Sequence, residues 1–457
     1  MLHNIENYRG VALQCVIPKL LDSIVASHLN LHLKDIIDNS QHGFRKGKST
    51  TTNLAEFTSR TLCKMEEGIQ TDAINLDLSK AFDAADVDLL IHKLNIMCLN
   101  RQLLNWLESY LNGRQQVVKL NETLSDPIEV TSGTGQGYPI GATLFLLFIV
   151  DLPHYSVESE LQSFADDTRL WKHIRCNEDC VALQKDLNIV VEYFKRNRLQ
   201  LNVNKTKSVI YHRGSLKHDF DYTIDSKNIE RVKVIKDLGV ILDEKLNFEA
   251  HIELITAKAR SLLGWIKRFG REFEDPWTIK RLFFTFVIPV IEYASQIWTP
   301  HTAEKIARIE SIQKQFLLYA LRKLKWSDRF IRPKYEHRLL FFQMITLEER
   351  RKIAQIALVH NVIRGDVSSQ YILDRIKIRD PRYRTRLNEF LSLPNRLRDY
   401  SRFEPINYML ITYNDFHKLK VPSPSNDPKC DKYLIDTAIS TKTVKQRITG
   451  FLKSNRS

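Results

Sequence analysis

The stretch Ser163-Phe164-Ala165-Asp166-Asp167-Thr168 is the most informative part of the sequence. It lies inside Leu161–Trp171, where apolar residues flank the two acids on both sides, a pattern typical of two short strands joined by a turn. The acids then lie at the tip of a predicted hairpin. An isolated Asp-Asp pair is most often a solvated turn or a helix cap, so the rest of the chain decides between these interpretations.

A further acid, Asp77, lies at the end of another predicted strand. Residues Ala73–Leu78 alternate apolar side chains with a second face that carries Asp77, which is the period of a half-buried strand. An amphipathic helix is predicted directly after it, over Asp86–Leu94. Phosphoryl transfer with two divalent cations about 3.5 to 4 Å apart needs several carboxylate ligands. We therefore expect Asp77 to converge with Asp166 and Asp167.

Length and charge narrow the class of protein. The 457 residues favour two or three domains, and 68 Lys and Arg against 54 Asp and Glu give a net charge of +14. This charge favours a polyanionic partner, with nucleic acid ahead of an anionic membrane surface.

The longest apolar runs, Ala142–Val150 and Leu282–Val290, are shorter than the roughly 18 residues of a membrane span. The start of the chain lacks the apolar core of a signal peptide. We expect no membrane partner and an intracellular protein, nuclear or cytoplasmic, that is not secreted.

Other segments complete the prediction of an α+β protein. Helices are predicted over Val16–Ile37, over Ala142–Leu152 as a buried helix ended by Pro153, and from His251 through a basic region to about Arg364. Strands are predicted over Val209–His212 and Val232–Leu242. The last stretch, Asp366–Ser457, is polar and basic, and its prolines favour partial disorder.

A basic turn is predicted over Ser40–Thr52. Arg45, Lys46 and Lys48 lie there beside glycines and hydroxyl residues, which combines positive charge and backbone donors in one flexible stretch. We expect contact with an anion at this turn, and the alternative is a solvated basic turn.

Three blocks occur in a fixed order along the chain. Residues 77–83 read Asp-Leu-Ser-Lys-Ala-Phe-Asp, residues 132–137 read Ser-Gly-Thr-Gly-Gln-Gly, and the Asp-Asp turn follows. With them the sequence resembles the reverse transcriptases of non-LTR (LINE-type, jockey-like) retrotransposons, from Tyr8 to about Gly365. The further blocks that carry the resemblance are Gln41–Thr50, Leu238–Asp243 with Leu246, Phe248 and His251, and Ile291–Ala294 before Trp298 and Pro300.

The resemblance implies an α+β right-hand polymerase with a palm, partial fingers, a helical thumb and a basic C-terminal region. The implied domains are residues 1–212 for the fingers and palm, 213–365 for a primer-grip hairpin and a helical thumb-like region, and 366–457 for the C-terminal region.

The resemblance also implies a metal site. Asp77, Asp166 and Asp167 would hold two Mg²⁺ ions, with Mn²⁺ as a substitute, and the Leu78 carbonyl would be a further ligand. Lys205 matches a lysine that protonates or neutralises the leaving pyrophosphate, and the alternative is a surface lysine.

The resemblance also implies which residues contact the nucleotide. Phe82 matches an aromatic gate that collides with a ribose 2′-hydroxyl, and the alternative is a core phenylalanine. Gln136 and Gly137 match residues beside the incoming dNTP, where a plain loop is the alternative. Arg9 matches a contact with the triphosphate or the template. The resemblance assigns the cluster of Arg45, Lys46 and Lys48 to a contact with nucleic acid.

The implied function is that of an RNA-directed DNA polymerase with an RNA template, a DNA primer and dNTPs, and no protein partner is implied. A hairpin at Leu238 and Gly239 would seat the primer terminus, and the alternative is that the apolar residues of this block belong to the core. The chain departs from the family at the glycine turn, where Thr134-Gly135 replaces the usual Val-Pro and Tyr138 replaces a small residue. It also begins inside the first family motif, which implies loss of the amino-terminal endonuclease. The alternative function is therefore a catalytically silent, nucleic-acid-binding remnant.

Overall fold

The computed structural model describes residues 12–33, 35–215, 217–324, 333–379, 389–393, 403–421 and 432–454. The chain forms two compact units. The first comprises residues 1–53 and 68–233, and the second comprises residues 54–67 and 234–457. The domain boundaries expected after residues 212 and 365 stay predictions.

A central sheet organises the first unit. Its strands and the short hairpin strands beside them are β1 (Gln70–Leu76), β2 (Arg114–Gln116), β3 (Lys119–Leu120), β4 (Thr123–Leu124), β5 (Ile128–Val130), β6 (Glu160–Phe164), β7 (Asp167–Ile174), β8 (Lys207–Tyr211), β9 (Thr223–Ile224), β10 (Lys227–Asn228) and β11 (Glu230–Arg231). Among the described residues the sheet has the order β11-β8-β1-β7-β6. β11 is parallel to β8, and the other neighbours are antiparallel. The β11–β8 pairing keeps the chain in the first unit beyond residue 212.

The central strand β1 is buried on both faces. Ile74 and Leu76 belong to the main apolar core, and Ala73 on the opposite face is 0% exposed. The prediction of a half-buried strand is therefore wrong at this strand, because a central strand whose two faces are both covered leaves no solvated side. Asp77, one residue beyond β1, has a side chain that is 37% exposed.

Helices cover the sheet of the first unit. They are α1 (Val16–His32), the start of α2 (Thr50–Glu66), α3 (Ala81–Ala84), α4 (Val87–Ile96), α5 (Arg101–Leu111), α6 (Gly141–Phe148) and α7 (Asn177–Arg196). As its apolar composition predicts, α6 is buried along almost its whole length. It ends at Phe148, earlier than predicted, and Pro153 lies in the 3₁₀ turn Leu152–Tyr155 that follows.

The second unit is mainly helical. Its elements after α2 are β12 (Val234–Asp237), β13 (Val240–Asp243), α8 (Glu249–Phe269), α9 (Pro276–Leu282), a π-helical turn (Phe283–Val287), α10 (Ile288–Glu292), α11 (Ser295–Trp298), α12 (Ala303–Arg322), α13 (Tyr335–Phe341), α14 (Leu347–Ile363), α15 (Gln370–Arg375), β14 (Lys377–Ile378), β15 (Leu391–Ser392), α16 (Pro405–His417), β16 (Lys420–Val421), β17 (Lys432–Tyr433) and α17 (Thr441–Ser454). Among the described residues, no helix has the length and apolar character needed to cross a bilayer.

The segment Val232–Leu242, predicted as strand, is a hairpin. β12 pairs antiparallel with β13, and Leu238 and Gly239 reverse the chain between them with φ values of 42° and 85°. Both values lie in the left-handed region, which glycine adopts without strain and leucine does not.

The C-terminal region contributes to the core of the second unit. α16 and α17 both contact α14. Met409 and Leu410 on α16, and Val444 and Ile448 on α17, are 0% exposed. The polar composition of this region did not indicate that its described parts are packed in this way.

Candidate active site

The strand register sets Asp77 across from the aspartate hairpin. β1 pairs with β7 as far as Leu76 opposite Thr168. Continuing that register by one residue brings Asp77 opposite Asp167, the first residue of β7. Asp166 precedes Asp167 in the tight turn between β6 and β7. Two motifs that are far apart in the sequence therefore lie at the same edge of the sheet.

The Leu78 carbonyl faces the same edge. Leu78 forms an isolated antiparallel bridge with Leu201, in which the Asn202 N–H donates to the Asp77 carbonyl at 2.8 Å. The hydrogen bonds of this antiparallel bridge are made by the residues that flank the pair. The carbonyl of a residue in such a pair points away from the partner strand. Leu201 lies on the β8 side of β1, so the Leu78 carbonyl points to the β7 side.

The donor chemistry at this edge fits Mg²⁺, because carboxylate and carbonyl oxygens are the ligands that this ion prefers. Among the described residues, no group of three or more Asp, Glu, His or Cys side chains is close enough to hold a metal ion. The convergence of Asp77, Asp166 and Asp167 on two ions therefore stays a prediction. The structure brings together the strand ends that carry them.

Lys205 lies beside Asp77. Its Nζ is 3.9 Å from Oδ2 of Asp77, and its side chain is 69% exposed. The turn that carries it is ordered by the Asn202 carbonyl, which accepts hydrogen bonds from the N–H groups of Lys205 and Thr206. The lysine predicted to act on the leaving group thus lies next to a predicted metal ligand.

Gln41, a residue without a predicted role, holds the aspartate turn. Its Oε1 accepts from the N–H groups of Ala165 and Gly43, each at 2.8 Å, and its Nε2 donates to the Ala165 carbonyl at 3.3 Å. Ala165 has a φ of 57°, so these bonds stabilise a backbone conformation that alanine rarely adopts. A Cβ on Gly43 would lie 2.3 Å from the Ala165 nitrogen. The sequence signal that could have identified Gln41 is its place in the block Gln41–Thr50.

A buried guanidinium lies two residues beyond Asp167 on the same strand. Arg169 donates to Oδ1 of Asn75 at 3.2 Å and to Oε1 of Gln162 at 3.1 Å. Burial lowers the pKa of Arg169 to about 10, while Tyr211 and Asp167 act in the opposite direction. Residues two apart on a strand share a face, so this positive charge lies on the face of Asp167. An arginine in a strand of mixed polar and apolar residues gives no sequence signal that its guanidinium is buried beside the acids.

The glycine turn docks on the segment that follows Asp77. The N–H groups of Gly133 and Thr134 donate to the carbonyls of Ala85 at 2.7 Å and Phe82 at 2.9 Å. A Cβ on Gly133 would lie 2.9 Å from both the Phe82 carbonyl oxygen and the Asp83 Cα. Glycine therefore allows backbone to pack on backbone, and the blocks 77–83 and 132–137 come together.

The Phe82 ring is held from two sides. It stacks on the buried Phe145 with ring centres 4.4 Å apart, and Phe44 meets it edge-on at 6.1 Å. It is partly buried. This packing is compatible with both the gate and the core alternative, so selection against ribose stays a prediction.

Gln136 and Gly137 lie against the first described residues of the chain. The Ala12 N–H donates to the Gln136 carbonyl at 3.0 Å. Gly137 has a φ of 108°, and a Cβ there would lie 2.8 Å from the Ala12 carbonyl oxygen. Their contacts with a dNTP stay predictions, and Arg9 lies outside the described residues.

Two departures from the family pattern fit each other. Gly135 has a φ of 83°, and a Cβ there would lie 2.3 Å from Cδ2 of the Tyr138 ring. The Tyr138 ring also meets Tyr110 edge-on, with centres 6.4 Å apart. Tyr138 therefore occupies the space that a side chain at position 135 would need.

The basic turn uses two of its cations internally. Arg45 and Lys48 donate to backbone carbonyls within residues 38–41. Burial lowers the pKa of Arg45. Lys46 is exposed, and its side chain forms no ion pair or hydrogen bond with any other described residue. Nucleic-acid contacts by the three side chains stay predictions.

In the second unit, Leu238 and Gly239 form the tip of the β12–β13 hairpin. The Tyr293 hydroxyl donates to the Leu238 carbonyl at 2.8 Å. A Cβ on Gly239 would lie 2.9 Å from Cε1 of Tyr293. From α8, Nδ1 of His251 accepts from the Ile241 N–H at 3.2 Å. The hairpin is therefore anchored to two helical segments, and primer seating by its tip stays a prediction.

The sequence matches the family described as reverse transcriptase (RNA-dependent DNA polymerase) over residues 3–242. This range contains both acid motifs, the glycine turn and most of the β12–β13 hairpin. The chain belongs to the reverse transcriptase family.

Relatives of this reverse transcriptase come from transposable elements. It is 26% identical over 360 residues to the probable RNA-directed DNA polymerase from transposon BS of Drosophila melanogaster, which covers 76% of the chain and 39% of the relative. It is 26% identical over 346 residues to the corresponding probable polymerase from transposon X-element of the same species, with 73% and 37% covered. It is 23% identical over 344 residues to the RNA-directed DNA polymerase from mobile element jockey of Drosophila funebris, with 72% and 37% covered.

The reverse transcriptase spans less than two fifths of the length of these relatives. The matches confirm the predicted resemblance to jockey-like elements.

Among solved structures, apo telomerase from Candida tropicalis is similar with a TM-score of 0.41 at 10% identity, covering 78% of this chain and 60% of that one. Membership of the reverse transcriptase family confirms the predicted α+β right-hand polymerase fold.

Proposed function

We propose that this reverse transcriptase extends a DNA primer along an RNA template. The oxygen of the primer 3′-hydroxyl bonds to the α-phosphorus of a dNTP, and the bond to pyrophosphate breaks. The observation that carries the proposal is the register that sets Asp77 across from Asp167 in a chain of this family. The net charge of +14 suits a nucleic-acid substrate.

Asp77, Asp166 and Asp167, together with the Leu78 carbonyl, are the groups proposed to hold two Mg²⁺ ions, or Mn²⁺ in their place. Bound there, divalent cations supply charge stabilisation to the reacting phosphate. Lys205, 3.9 Å from Asp77, is proposed to neutralise or protonate the departing pyrophosphate.

Substrate contacts are proposed for the remaining predicted residues. They are Phe82, Gln136, Gly137 and Arg9 for the dNTP, Leu238 and Gly239 for the primer terminus, and Arg45, Lys46 and Lys48 for nucleic acid. The docking of the glycine turn on Phe82 supports a shared nucleotide pocket, because the bond from the Thr134 N–H to the Phe82 carbonyl brings the turn that carries Gln136 and Gly137 to Phe82. The proposed location is inside the cell, in the nucleus or the cytoplasm.

The test compares primer extension by the wild type with that of Asp77→Asn and Asp166→Asn, using an RNA template, a DNA primer, dNTPs and Mg²⁺. Each substitution keeps the side-chain shape and removes one anionic ligand, so extension should be lost while thermal stability and duplex affinity change little. Asp88→Asn, at an exposed position on α4, is the matched control and should extend as the wild type does. Extension retained by either site variant would refute the assignment of the metal ligands.

The second candidate function is binding of nucleic acid without catalysis. The observation that favours it is the Tyr138 ring beside Gly135, since both residues depart from the family turn that shapes the nucleotide pocket. A wild type that binds primer–template with affinity falling steeply as salt rises, yet extends nothing, would support this candidate. Extension that depends on Asp166 would exclude it.

A further inference from the structure

The second unit contains an open cavity of about 730 Å³ that has no predicted role. Its walls come from α9, the loop between α13 and α14, α14 itself and the C-terminal helix α17. Ligand sites in proteins typically measure about 300 to 1,000 Å³. The cavity is therefore large enough to hold a ligand of nucleotide size.

The charged residues that line this cavity are mostly cationic. The cationic lining residues are Lys280, Arg281, Arg350, Lys445 and Lys453, and Glu292 is the acidic one. Glu292 is bound by two nitrogens of Arg350, one of them at 2.9 Å, so this pair is neutral overall. Within the described part of the chain, no carboxylate forms an ion pair with the other four cations. Arg281 acts electrostatically on Asp275, and the charge of the three lysines attracts a polyanion.

Lys280 is already ordered at the cavity wall. Its Nζ donates to the Phe342 carbonyl at 2.6 Å and lies 5.0 Å from the Trp277 ring centre and 5.8 Å from that of Phe284. Burial and the charge of Lys453 lower the pKa of Lys280. An anion between the two ammonium groups would relieve their repulsion, and little side-chain entropy would be lost at Lys280 on binding.

Trp277 adds an accessible aromatic surface. It is 40% exposed and lies nearly parallel to Phe341, with ring centres 6.5 Å apart and an interplanar angle of 21°. Exposed aromatic rings beside cations are the features on which unpaired bases stack. The bases of a duplex are already paired and stacked, so a single strand can reach this ring and a duplex cannot.

The two lysines of α17 are spaced for more than one phosphate. Lys445 and Lys453 are eight residues apart on this helix, which is about 12 Å along its axis at 1.5 Å per residue. Side chains spaced in this way can contact two different phosphates. The spacing suits successive phosphates of a strand better than a free nucleotide.

We propose that this cavity binds a single-stranded nucleic acid, with a base stacked on Trp277 and backbone phosphates held by Lys280, Lys445 and Lys453. The proposal goes beyond polymerase activity and does not depend on it, because the cavity belongs wholly to the second unit. It gives the C-terminal helix a binding role. RNA and DNA strands share the base and phosphate chemistry, and the test separates them.

The test uses the full chain and a fluorescent oligouridylate or oligothymidylate of about twelve nucleotides, a length within the usual range of single-strand sites. An excess of unlabelled primer–template duplex is present, and anisotropy is measured across a series of salt concentrations. In Lys445→Gln/Lys453→Gln the affinity should fall and the slope of log K against log salt should become shallower by about 1.4, that is about 0.7 for each lost phosphate contact. In Trp277→Leu the affinity should fall roughly tenfold with an unchanged slope, because stacking is lost and charge is kept.

Two further variants serve as controls. Lys418→Gln/Lys442→Gln removes two exposed lysines outside the cavity and should bind as the wild type does. Trp277→Phe retains a ring and should recover most of the affinity lost in Trp277→Leu. A tighter oligouridylate would identify RNA as the ligand, and a tighter oligothymidylate would identify DNA.

Three results would overturn the proposal. The first is unchanged binding of both oligonucleotides in both site variants. The second is an equal loss in the control pair of lysines. The third is complete displacement of the labelled strand by duplex, or by UTP at an equal nucleotide concentration, since either result would assign the binding to another site or to free nucleotides.

Discussion

The hydroxyl of Tyr293 donates a hydrogen bond of 2.8 Å to the carbonyl oxygen of Leu238, which joins the segment after α10 to the tip of the β12–β13 hairpin. The ring of the same tyrosine lies where a Cβ on Gly239 would be, at 2.9 Å. Two sequence blocks that carry the family resemblance are therefore in direct contact. The glycine and the tyrosine depend on each other, because the ring can pack there only if position 239 has no side chain.

Gly239→Ala is expected to lower the free energy of unfolding by about 1 to 3 kcal/mol, because a φ of 85° strains alanine and its Cβ meets the Tyr293 ring. Adding Tyr293→Ala should recover the part that comes from the clash, but not the part that comes from φ. Chemical denaturation followed by tryptophan fluorescence measures both effects. Gly264→Ala, inside α8 and in ordinary contact with its surroundings, is the control and should stabilise by up to about 1 kcal/mol.

Gln41→Leu is expected to reduce the kcat of primer extension by about 10- to 100-fold while primer–template affinity stays nearly constant. The substitution leaves the buried N–H groups of Ala165 and Gly43 without their acceptor, so the turn that carries Asp166 loses its fixed geometry. The Mg²⁺ concentration for half-maximal extension should rise, which a purely structural role would not cause. Gln41→Glu keeps an acceptor oxygen and should recover part of the rate.

A matched control for Gln41 exists in the same unit. Gln184 clamps the backbone of Thr223 in the same manner, with bonds of 2.8 and 2.9 Å. Gln184→Leu should lower stability without changing kcat. If it reduces kcat as strongly as Gln41→Leu does, the loss reflects general loosening of the unit.

Thr134→Val is expected to stabilise the protein by about 1 kcal/mol, because the Thr134 hydroxyl oxygen is buried and has no hydrogen-bond partner among the described residues. Adding Gly135→Pro should reverse this gain and lower extension. Proline cannot adopt the φ of 83° found at position 135, and its ring would meet Tyr138. The thermal midpoint and the extension rate are the two measurements.

Restoring the usual family turn therefore requires a third change. The triple variant Thr134→Val/Gly135→Pro/Tyr138→Ala should have a higher extension rate and a higher thermal midpoint than the variant that lacks Tyr138→Ala. Removal of the ring lets the turn adopt a new backbone path. Higher activity from the Val-Pro change alone would contradict the dependence of Gly135 on Tyr138.

Stability is expected to fall as the pH rises through the titration of Asp72. This carboxyl accepts from Nε2 of Gln70 at 2.8 Å and from the Tyr222 hydroxyl at 2.7 Å, yet burial raises its pKa from 3.8 to about 6. The folded state then binds a proton more tightly than the unfolded state, so the free energy of unfolding drops by about 3 kcal/mol between roughly pH 4 and pH 6.

Asp72→Asn should remove this fall, so the variant gains stability relative to the wild type as the pH rises from about 4 to 6, and the difference stays constant above that. Denaturation of both proteins between pH 4 and pH 8 measures the difference. Glu122→Gln, at an exposed acid, is the control and should follow the wild-type curve. A constant difference between Asp72→Asn and the wild type at every pH would show that Asp72 does not titrate in this range.

Local features were predictable from the sequence because they depend on neighbouring residues. A strand before Asp77, two strands around Asp166 and a helix within the apolar run after Gly141 are all present, although β1 is buried on both faces and not half-buried as predicted. The ends of elements were less predictable. α6 stops at Phe148, and the segment through Leu238 reverses, since these limits depend on backbone angles and packing partners that periodicity does not record.

The order and types of residues by themselves determined the family of this protein, its α+β class and the acids and glycines proposed to carry its chemistry, because a turn or a strand end imposes local constraints on residue type. Tertiary structure alone decided that Gln41 holds the Asp166 turn, that Tyr138 requires Gly135, and that Lys280 and Lys453 line the same cavity. Each of these contacts depends on the precise spatial fit of side chains and backbone. The sequence pattern indicates which local segments form, whereas the free energy of burial and hydrogen bonding selects which of them meet.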